Sequence, residues 1–474
     1  MRLLVVLLVI FILRLPSWIE PHWYGDEGIY LALAQAMNRG AVLYRDIWDN
    51  KTPLLYLIYA ISPTLIWAKI SATICVLGTT AVSYFLAKKL KISAVGSSLL
   101  IGVLLSLPIL EGNIANAELY FTLPIILGAY LIFDGTAPLL VGFLISLAFL
   151  LKVPAVLDFA GMFLAFSIID LARAAPAKLK NQIKFYFPVA LGFIAPVLLV
   201  FLYFYVNRAL PDFLTAAFGQ NAAYVAIDTG PLSKLSNPLF TKGVILLFAE
   251  LAQLVLFVRR KITKELFFLL SWFGFSLYGS LLSGRPYPHY LLQVVPPMAI
   301  LLIYLIKNFK KYWIGVLGYL GVLGYLGVTF GSHLYLPRYQ YFFNYVSGKI
   351  SKETYMARFD WRAVRDMKVA TFIKESTRPT DPIFYWGDDA FIYFLSERKP
   401  ATKFIQAHHL TTIDPSNYEM IIEQLKKQKV KYILVSRPVG FSFPKLESLI
   451  ETNYYLGPVF DDIYVYTRLP QKSR

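Results

Sequence analysis

Two adjacent carboxylates, Asp26 and Glu27, head the stretch "DEGIYLALAQAM" directly after the first apolar run of the chain. A carboxylate held near a low-dielectric membrane face can take a proton from a hydroxyl, which is general-base chemistry. The same pair also reads as a helix start, with Asp26 as cap and Glu27 favourable in the first turn. The readings are compatible, because a capping residue is rigidly placed. In "YRDIWDNKTPLLY" (44–56), Asp46, Asp49 and Lys51 stand just before an apolar segment that begins at Pro53. A lysine at a membrane boundary is commonly a snorkelling anchor; it could equally hold a lipid-linked phosphate at headgroup level. Glu118, in "EGNIANAELYFTLP" (111–124), starts one apolar run, and Lys152, in "FLLKVPAVLD", ends another. The stretch "SGRPYPHY" (283–290) gathers Arg285, His289 and Tyr290, stiffened by Pro286 and Pro288. Arginine forks onto phosphate oxygens, and histidine can donate to the same group or orient an acceptor. The plain alternatives are a helix-terminal carboxylate for Glu118 and an interfacial belt of aromatics and cations for the 283–290 stretch.

Such residues need a scaffold, and composition names its class. Hydrophobic residues make up 57% of the 474 residues and charged ones 16%, where soluble domains carry roughly 25% charged. Mean hydropathy is +0.55, so the chain reads as an integral membrane protein. Eleven spans are expected, at about 3–19, 62–87, 94–110, 119–133, 137–153, 155–172, 185–206, 243–258, 265–283, 290–306 and 312–331. No small-residue cleavage site follows the first run, which reads as a retained span. With the N-terminus cytoplasmic, the inside connections hold Lys88–Lys91, Arg173–Lys184, Arg259–Lys264 and Lys307–Lys311, rich in cations as the positive-inside rule requires. The outer loops, about 20–52, 111–118, 207–242 and 283–290, then carry the candidate residues on one face. The third of these, 207–242, reads as a segment that helps select an acceptor.

An odd number of spans puts the C-terminus outside. A membrane domain, 1–331, is expected to precede an extracytoplasmic α/β domain, 332–474. In the latter, "WRAVRDMKVATFIKES" has helical periodicity, "DPIFYWGDD" reads as a strand and turn, and "NYEMIIEQLKKQKVKYILVS" as a helix running into a strand. Glycine at every third position in "GVLGYLGVLGYLG" (315–327) reads as close helix packing. The net charge of +17 follows the loops, without the basic-aromatic interleaving of a nucleic-acid binder. The single cysteine, Cys75, excludes an intrachain disulfide. There is no CxxC, HExxH or P-loop, and the adjacent His408 and His409 are poorly spaced for one metal.

In order along the chain, "DEGIYLALAQAM", "GAVLYRDIWDNKTPLLY", "NAELYFTLP", "LLKVPAVLD" and "RPYPHYLLQVVPP" resemble the bacterial branch of the GT-C superfamily. These are polyprenyl-phosphate-sugar-dependent glycosyltransferases related to protein O-mannosyltransferases and lipid A aminoarabinose transferases. The resemblance implies a GT-C fold of about eleven transmembrane helices in the plasma (inner) membrane. It also implies a donor sugar on a polyprenyl phosphate, and an acceptor hydroxyl on a protein, lipid or polysaccharide. Asp26 would be the catalytic base of an inverting transfer, with Glu27 beside it. Lys51, Lys152, Arg285, His289 and Tyr290 would surround the donor phosphate, and Glu118 would be the second acidic residue. A divalent metal held by Glu118 or Asp49 stays open. Gly28 and Ile29 stand where the aminoarabinose transferases carry an arginine, and Asn50 and Thr52 flank Lys51 where that group has an acidic residue and a proline. Neither the sugar nor the acceptor therefore follows from the resemblance. Two other classes are consistent with a polytopic chain. One is a flippase or transporter of lipid-linked sugar, which would place ionisable residues inside its spans; the other is a non-catalytic scaffold of glycan assembly.

Overall fold

In hydrocarbon every backbone N–H and C=O must be paired within its own segment, so long apolar runs become helices. The computed structural model describes residues 1–172, 178–221, 238–285, 287–330, 337–413, 416–438 and 440–470. Each of the eleven expected spans contains a helix, though 94–110 leaves the helix after Leu104 and 290–306 begins in a 3-10 turn. In chain order the first part runs α1 (Arg2–Arg14), α2 (Gly25–Asn38), α3 (Pro53–Ile61), α4 (Leu65–Lys89), α5 (Ala94–Leu104), α6 (Ala117–Asp134), α7 (Pro138–Leu151) and α8 (Val156–Ala172). It continues with α9 (Lys178–Val206), α10 (Leu210–Leu214), α11 (Pro238–Val258), α12 (Lys264–Ser280), α13 (Val295–Lys307) and α14 (Phe309–Phe330). Among the described residues, six helical stretches are long and apolar enough to cross a membrane: Arg2–Ile19, Leu65–Lys89, Ala117–Asp134, Val153–Ala172, Gln182–Val206 and Pro238–Val258. The protein is a polytopic α-helical membrane protein with a small α/β domain at its C-terminal end.

The chain divides into two compact units. The first comprises Met1–Trp18, Ala68–Tyr203 and Ala222–Leu336; the second comprises Ile19–Trp67, Phe204–Asn221 and Pro337–Arg474. The expected domain boundary near 331, the cation Arg173, Pro286 and the 222–237 part of the third outer loop lie outside the described residues.

In the first unit, α8 and α12 pack closely because Gly161 has no side chain. A Cβ there would lie 2.5 Å from the carbonyl oxygen of Ser271. The glycines of the 315–327 stretch behave differently. At Gly318, Gly321 and Gly324 a Cβ would meet nothing within 4 Å, so the expected close packing is not found there. A three-residue spacing steps 300° around a helix, which walks the glycines round the cylinder instead of lining one face. A second correction concerns charge. The ionisable residues are not confined to the outer loops: Arg14, Lys69, Asp158 and Glu250 are buried within helices of this unit. Each is hydrogen-bonded to a neighbour, as burial in a low-dielectric interior demands. Arg14 donates to Thr73 Oγ1 at 2.8 Å and to the carbonyls of Leu105 and Gly112 at 3.2 and 2.7 Å, which ties down both ends of the 105–112 loop. Lys69 donates to the Asn113 carbonyl at 2.8 Å, and Glu250 accepts from Ser271 at 2.8 Å.

The second unit joins the segment Ile19–Trp67 to the C-terminal tail. Its tail holds α15 (Pro337–Val346), α16 (Lys352–Ala357), α17 (Trp361–Ser376), β1 (Phe384–Trp386), α18 (Phe391–Ser396), α19 (Ala407–Ile413), α20 (Ser416–Gln428), β2 (Tyr432–Ser436), α21 (Pro444–Asn453), β3 (Tyr454–Phe460) and β4 (Ile463–Arg468). The sheet order is β1-β2-β4-β3, with β1 parallel to β2 and the other pairs antiparallel. Asp360 caps α17 by accepting from the Arg362 N–H at 2.9 Å. Buried Arg365 binds Asp366, Asp389 and Asp462, linking α17 to the turn after β1 and to the β3–β4 hairpin. The first loop packs onto this tail through α2 and α18. Gly28 lies against Phe391, whose ring would be 2.9 Å from an added Cβ. Gln35 and Arg39 donate to the carbonyls of Phe394 and Glu397, at 3.4 and 3.1 Å. The Trp48 N–H pairs with the Lys403 carbonyl at 2.8 Å.

Candidate functional site

In the second unit, Asp26 and Lys51 meet. Lys51 Nζ lies 2.9 Å from Asp26 Oδ2, which also accepts from the Tyr30 hydroxyl at 3.0 Å. The lysine ammonium sits 4.6 Å from the centroid of the Tyr30 ring. Asp26 is not the helix cap expected from the sequence. The N-cap of α2 is Tyr24, and Asp26 stands in the first turn with its carboxylate turned to Lys51. There the helix dipole still favours a negative charge. Glu27 is fully buried on the same helix.

The loop from 44 to 56 is built around the backbone of Lys51. The Tyr44 hydroxyl donates to the Lys51 carbonyl at 2.6 Å, and the Lys51 N–H donates to the Tyr56 hydroxyl at 3.1 Å. Tyr56 in turn donates to Asp49 Oδ2 at 2.6 Å. Burial, and then the nearby carboxylates Asp26 and Asp49, push the phenols of Tyr30 and Tyr56 well above the ordinary tyrosine range. They stay protonated and act as donors. Tyr44 packs on Phe204 and Phe213, so the 204–221 segment supports the loop from behind. Asn221 adds a bond to the Asn50 carbonyl at 2.5 Å.

Asp49 is buried and lies 3.3 Å from His409 Nε2. His408 pairs instead with Asp388, at 3.2 Å. Burial outweighs the pull of Asp49 and lowers the His409 pKa from 6.5 to about 4. Between those values the unfolded chain takes up a proton that the folded imidazole refuses, so acidification removes stability through that window. The thermal midpoint is expected to fall from pH 6.5 towards pH 4, and His409→Asn should flatten that slope. Equal slopes in the two proteins would refute the assignment.

In the first unit, Glu118 and Lys152 form an ion pair, with the glutamate almost wholly buried. Glu118 stands in the first turn of α6, and Lys152 follows α7 in extended backbone. The Lys152 ammonium lies 4.1 Å from the centroid of the Tyr290 ring. His289 Nδ1 lies 2.5 Å from Glu111 Oε2, and Tyr290 packs edge-on against the imidazole at 4.6 Å. Arg285 is half-buried at the start of the same loop, and its N–H donates to Ser283 Oγ at 3.4 Å. Removing Lys152 alone strands a buried carboxylate, which costs about 3–5 kcal/mol in such pairs. Lys152→Met should therefore lower the unfolding midpoint markedly, and Glu118→Leu added to it should restore much of the loss. A double variant no more stable than Lys152→Met would contradict this.

The residues proposed from sequence thus fall into two groups, one in each unit: Asp26, Glu27, Asp49 and Lys51; and Glu118, Lys152, Arg285, His289 and Tyr290. Asp49 is committed to Tyr56 and His409, and Glu118 to Lys152. Among the described residues no group of three or more His, Cys, Asp or Glu is arranged to hold a metal ion. Sequence reasoning assigned no role to Glu111, to the tyrosines 30, 44 and 56, or to His409. Glu111 stood beside Glu118 in the same outer loop. His409 gave no local signal, because its partner is far away in the chain.

Residues 364–468 match the family model described as "Putative competence-induced protein Ccs4 C-terminal domain". No curated protein matches the chain. Among solved structures, ArnT from Cupriavidus metallidurans bound to undecaprenyl phosphate aligns with 99% of this chain and 98% of its own, with a TM-score of 0.60 at 14% identity. The same ArnT in the apo state aligns with 98% and 97%, with a TM-score of 0.60 at 13% identity. At such identity the likeness is one of fold, and fold alone does not carry function. Over nearly its whole length, then, the chain has a fold like that of ArnT.

Proposed function

We propose that the protein is a membrane glycosyltransferase that moves a sugar from a polyprenyl phosphate to an acceptor hydroxyl at the extracytoplasmic face. The observation that carries this reading is the pair Asp26–Lys51, a carboxylate and an ammonium 2.9 Å apart on one loop, to which we assign the roles of base and phosphate-binding cation. The fold it stands in supports the reading, since ArnT, of like fold, has been seen with undecaprenyl phosphate.

In the resting protein the lysine is paired with the aspartate. A donor phosphate competes for the ammonium, and Asp26 is then left to accept the acceptor's proton. The acceptor oxygen attacks the anomeric carbon as that proton passes to Asp26. The bond from the anomeric carbon to the phosphate oxygen breaks, and polyprenyl phosphate leaves with the electron pair. Attack opposite the leaving group inverts the configuration. Lys51 stabilises the charge developing on the phosphate. Lys152, Arg285, His289 and Tyr290 are assigned to binding the donor phosphate, and Glu27 to supporting Asp26.

The test is transfer by the full chain in proteoliposomes supplied with polyprenyl-phosphate-linked sugars and a panel of hydroxyl acceptors. Release of free polyprenyl phosphate together with a glycosylated acceptor is expected. Movement of the lipid-linked sugar across the bilayer with no transfer would replace this reading by a transporter.

A further inference from the structure

We infer that Asp158 is a positioning residue: from inside the membrane unit it sets the spacing between Lys152 and the loop carrying His289 and Tyr290. The inference rests on the phosphate-binding role proposed for those residues. Asp158 is fully buried in α8, yet both its oxygens are used. Trp272 Nε1 on α12 donates to Oδ1 at 2.7 Å, and Gln293 Nε2 donates to Oδ2 at 2.6 Å. Gln293 closes the 3-10 turn Pro288–Gln293, which bears His289 and Tyr290. Its amide nitrogen also donates to the Pro154 carbonyl at 3.2 Å, inside the short turn Val153–Ala155 that follows Lys152. The backbone carbonyl of Gln293 accepts from the Ser276 hydroxyl at 3.1 Å. One amide thus bridges the two turns that bring the Lys152 ammonium to the Tyr290 ring.

The chemistry explains why a carboxylate is used there. Gln293 Nε2 has two hydrogens, one for Pro154 and one for Asp158, so its orientation is fully specified. Asp158 accepts from both sides. An asparagine would keep the shape and one acceptor but set an N–H₂ group against a donor. To avoid that clash the Gln293 amide would have to turn, losing Pro154. A leucine would remove both acceptors and leave two donors unpaired. Gly279 leaves room for this amide, since a Cβ there would lie 2.9 Å from Gln293 Nε2.

A purely structural role and a positioning role differ in what they move. Replacing a buried polar network by apolar side chains can leave stability unchanged, whereas a displacement of about 1 Å at a reacting centre can cost about a hundredfold in rate. The experiment uses the full chain, reading steady-state transfer, binding of undecaprenyl phosphate and the unfolding midpoint. For Asp158→Leu we expect the donor KM and the Kd for undecaprenyl phosphate to rise at least about tenfold, with kcat changing less. Asp158→Asn, which keeps one acceptor but sets an N–H₂ group against a donor, should fall between wild type and Asp158→Leu. Gln293→Met, which removes the same bridge from the loop side, should reproduce the Leu pattern and serves if Asp158→Leu does not fold. A wild type that binds no undecaprenyl phosphate would overturn the reading and the inference with it. A wild type that binds, with Asp158→Leu or Gln293→Met matching it in KM and Kd, would overturn the inference alone.

Discussion

Asp26→Asn is expected to abolish transfer while leaving the protein folded and its affinity for polyprenyl phosphate undiminished. The asparagine has the same shape, and its remaining oxygen can still accept from Tyr30 or Lys51. Its amide nitrogen, however, has no available lone pair with which to take the acceptor's proton. General-base catalysis contributes about 10²–10⁴ in rate, and kcat should fall by that factor. The donor KM should not rise, because the proton transfer to Asp26 acts in the transition state and the lost charge no longer competes with the phosphate for Lys51. The measurement is steady-state transfer, with undecaprenyl phosphate binding as the control for folding and donor affinity. Full activity in Asp26→Asn would remove the base from the scheme.

Lys51→Met should produce the contrasting pattern, with the donor KM raised and kcat lowered. Lys51 is proposed to meet the phosphate in the ground state and to hold the charge that grows on it as the glycosidic bond breaks. Losing one such electrostatic contact costs about 10²–10³ in kcat. The local fold should survive, because Tyr44 and Tyr56 hold the backbone of Lys51 and do not depend on its side chain. Arginine should restore binding only in part, since a broad planar fork replaces a compact charge in the space beside Asp26 and the Tyr30 ring. Were Lys51→Met to bind donor and turn over like wild type, the phosphate role would pass to the cations of the first unit. The two substitutions together separate proton removal from phosphate binding.

The spans were legible because hydropathy is a local property, and a lipid-facing helix needs only its own residues to satisfy its backbone. The helix Trp361–Ser376 and the strand Phe384–Trp386 were legible for a similar reason, as their periodicity and flanking turns are short-range. The pairing of Asp26 with Lys51 was within reach too, since both lie on one loop and their types complement each other. Local rules also misled. The run of acidic residues after the first span looked like a cap, but Tyr24 takes that position and Asp26 turns to its lysine. The glycine repeat looked like a packing face, but its period does not match that of the helix.

What the sequence determined by itself was the membrane class, the approximate limits of the apolar helices, the α/β character of the tail and the set of residue types able to do chemistry. The tertiary structure alone decided the partners. It put His409 against Asp49, Glu111 against His289, and Arg14 across both ends of the loop that carries Glu111. It also folded the first outer loop with the C-terminal tail and the 204–221 segment into one unit. The physical reason is range. A helix pays for its own hydrogen bonds within four residues, whereas a buried charge must find its partner wherever packing brings one, and linear spacing carries no record of that choice.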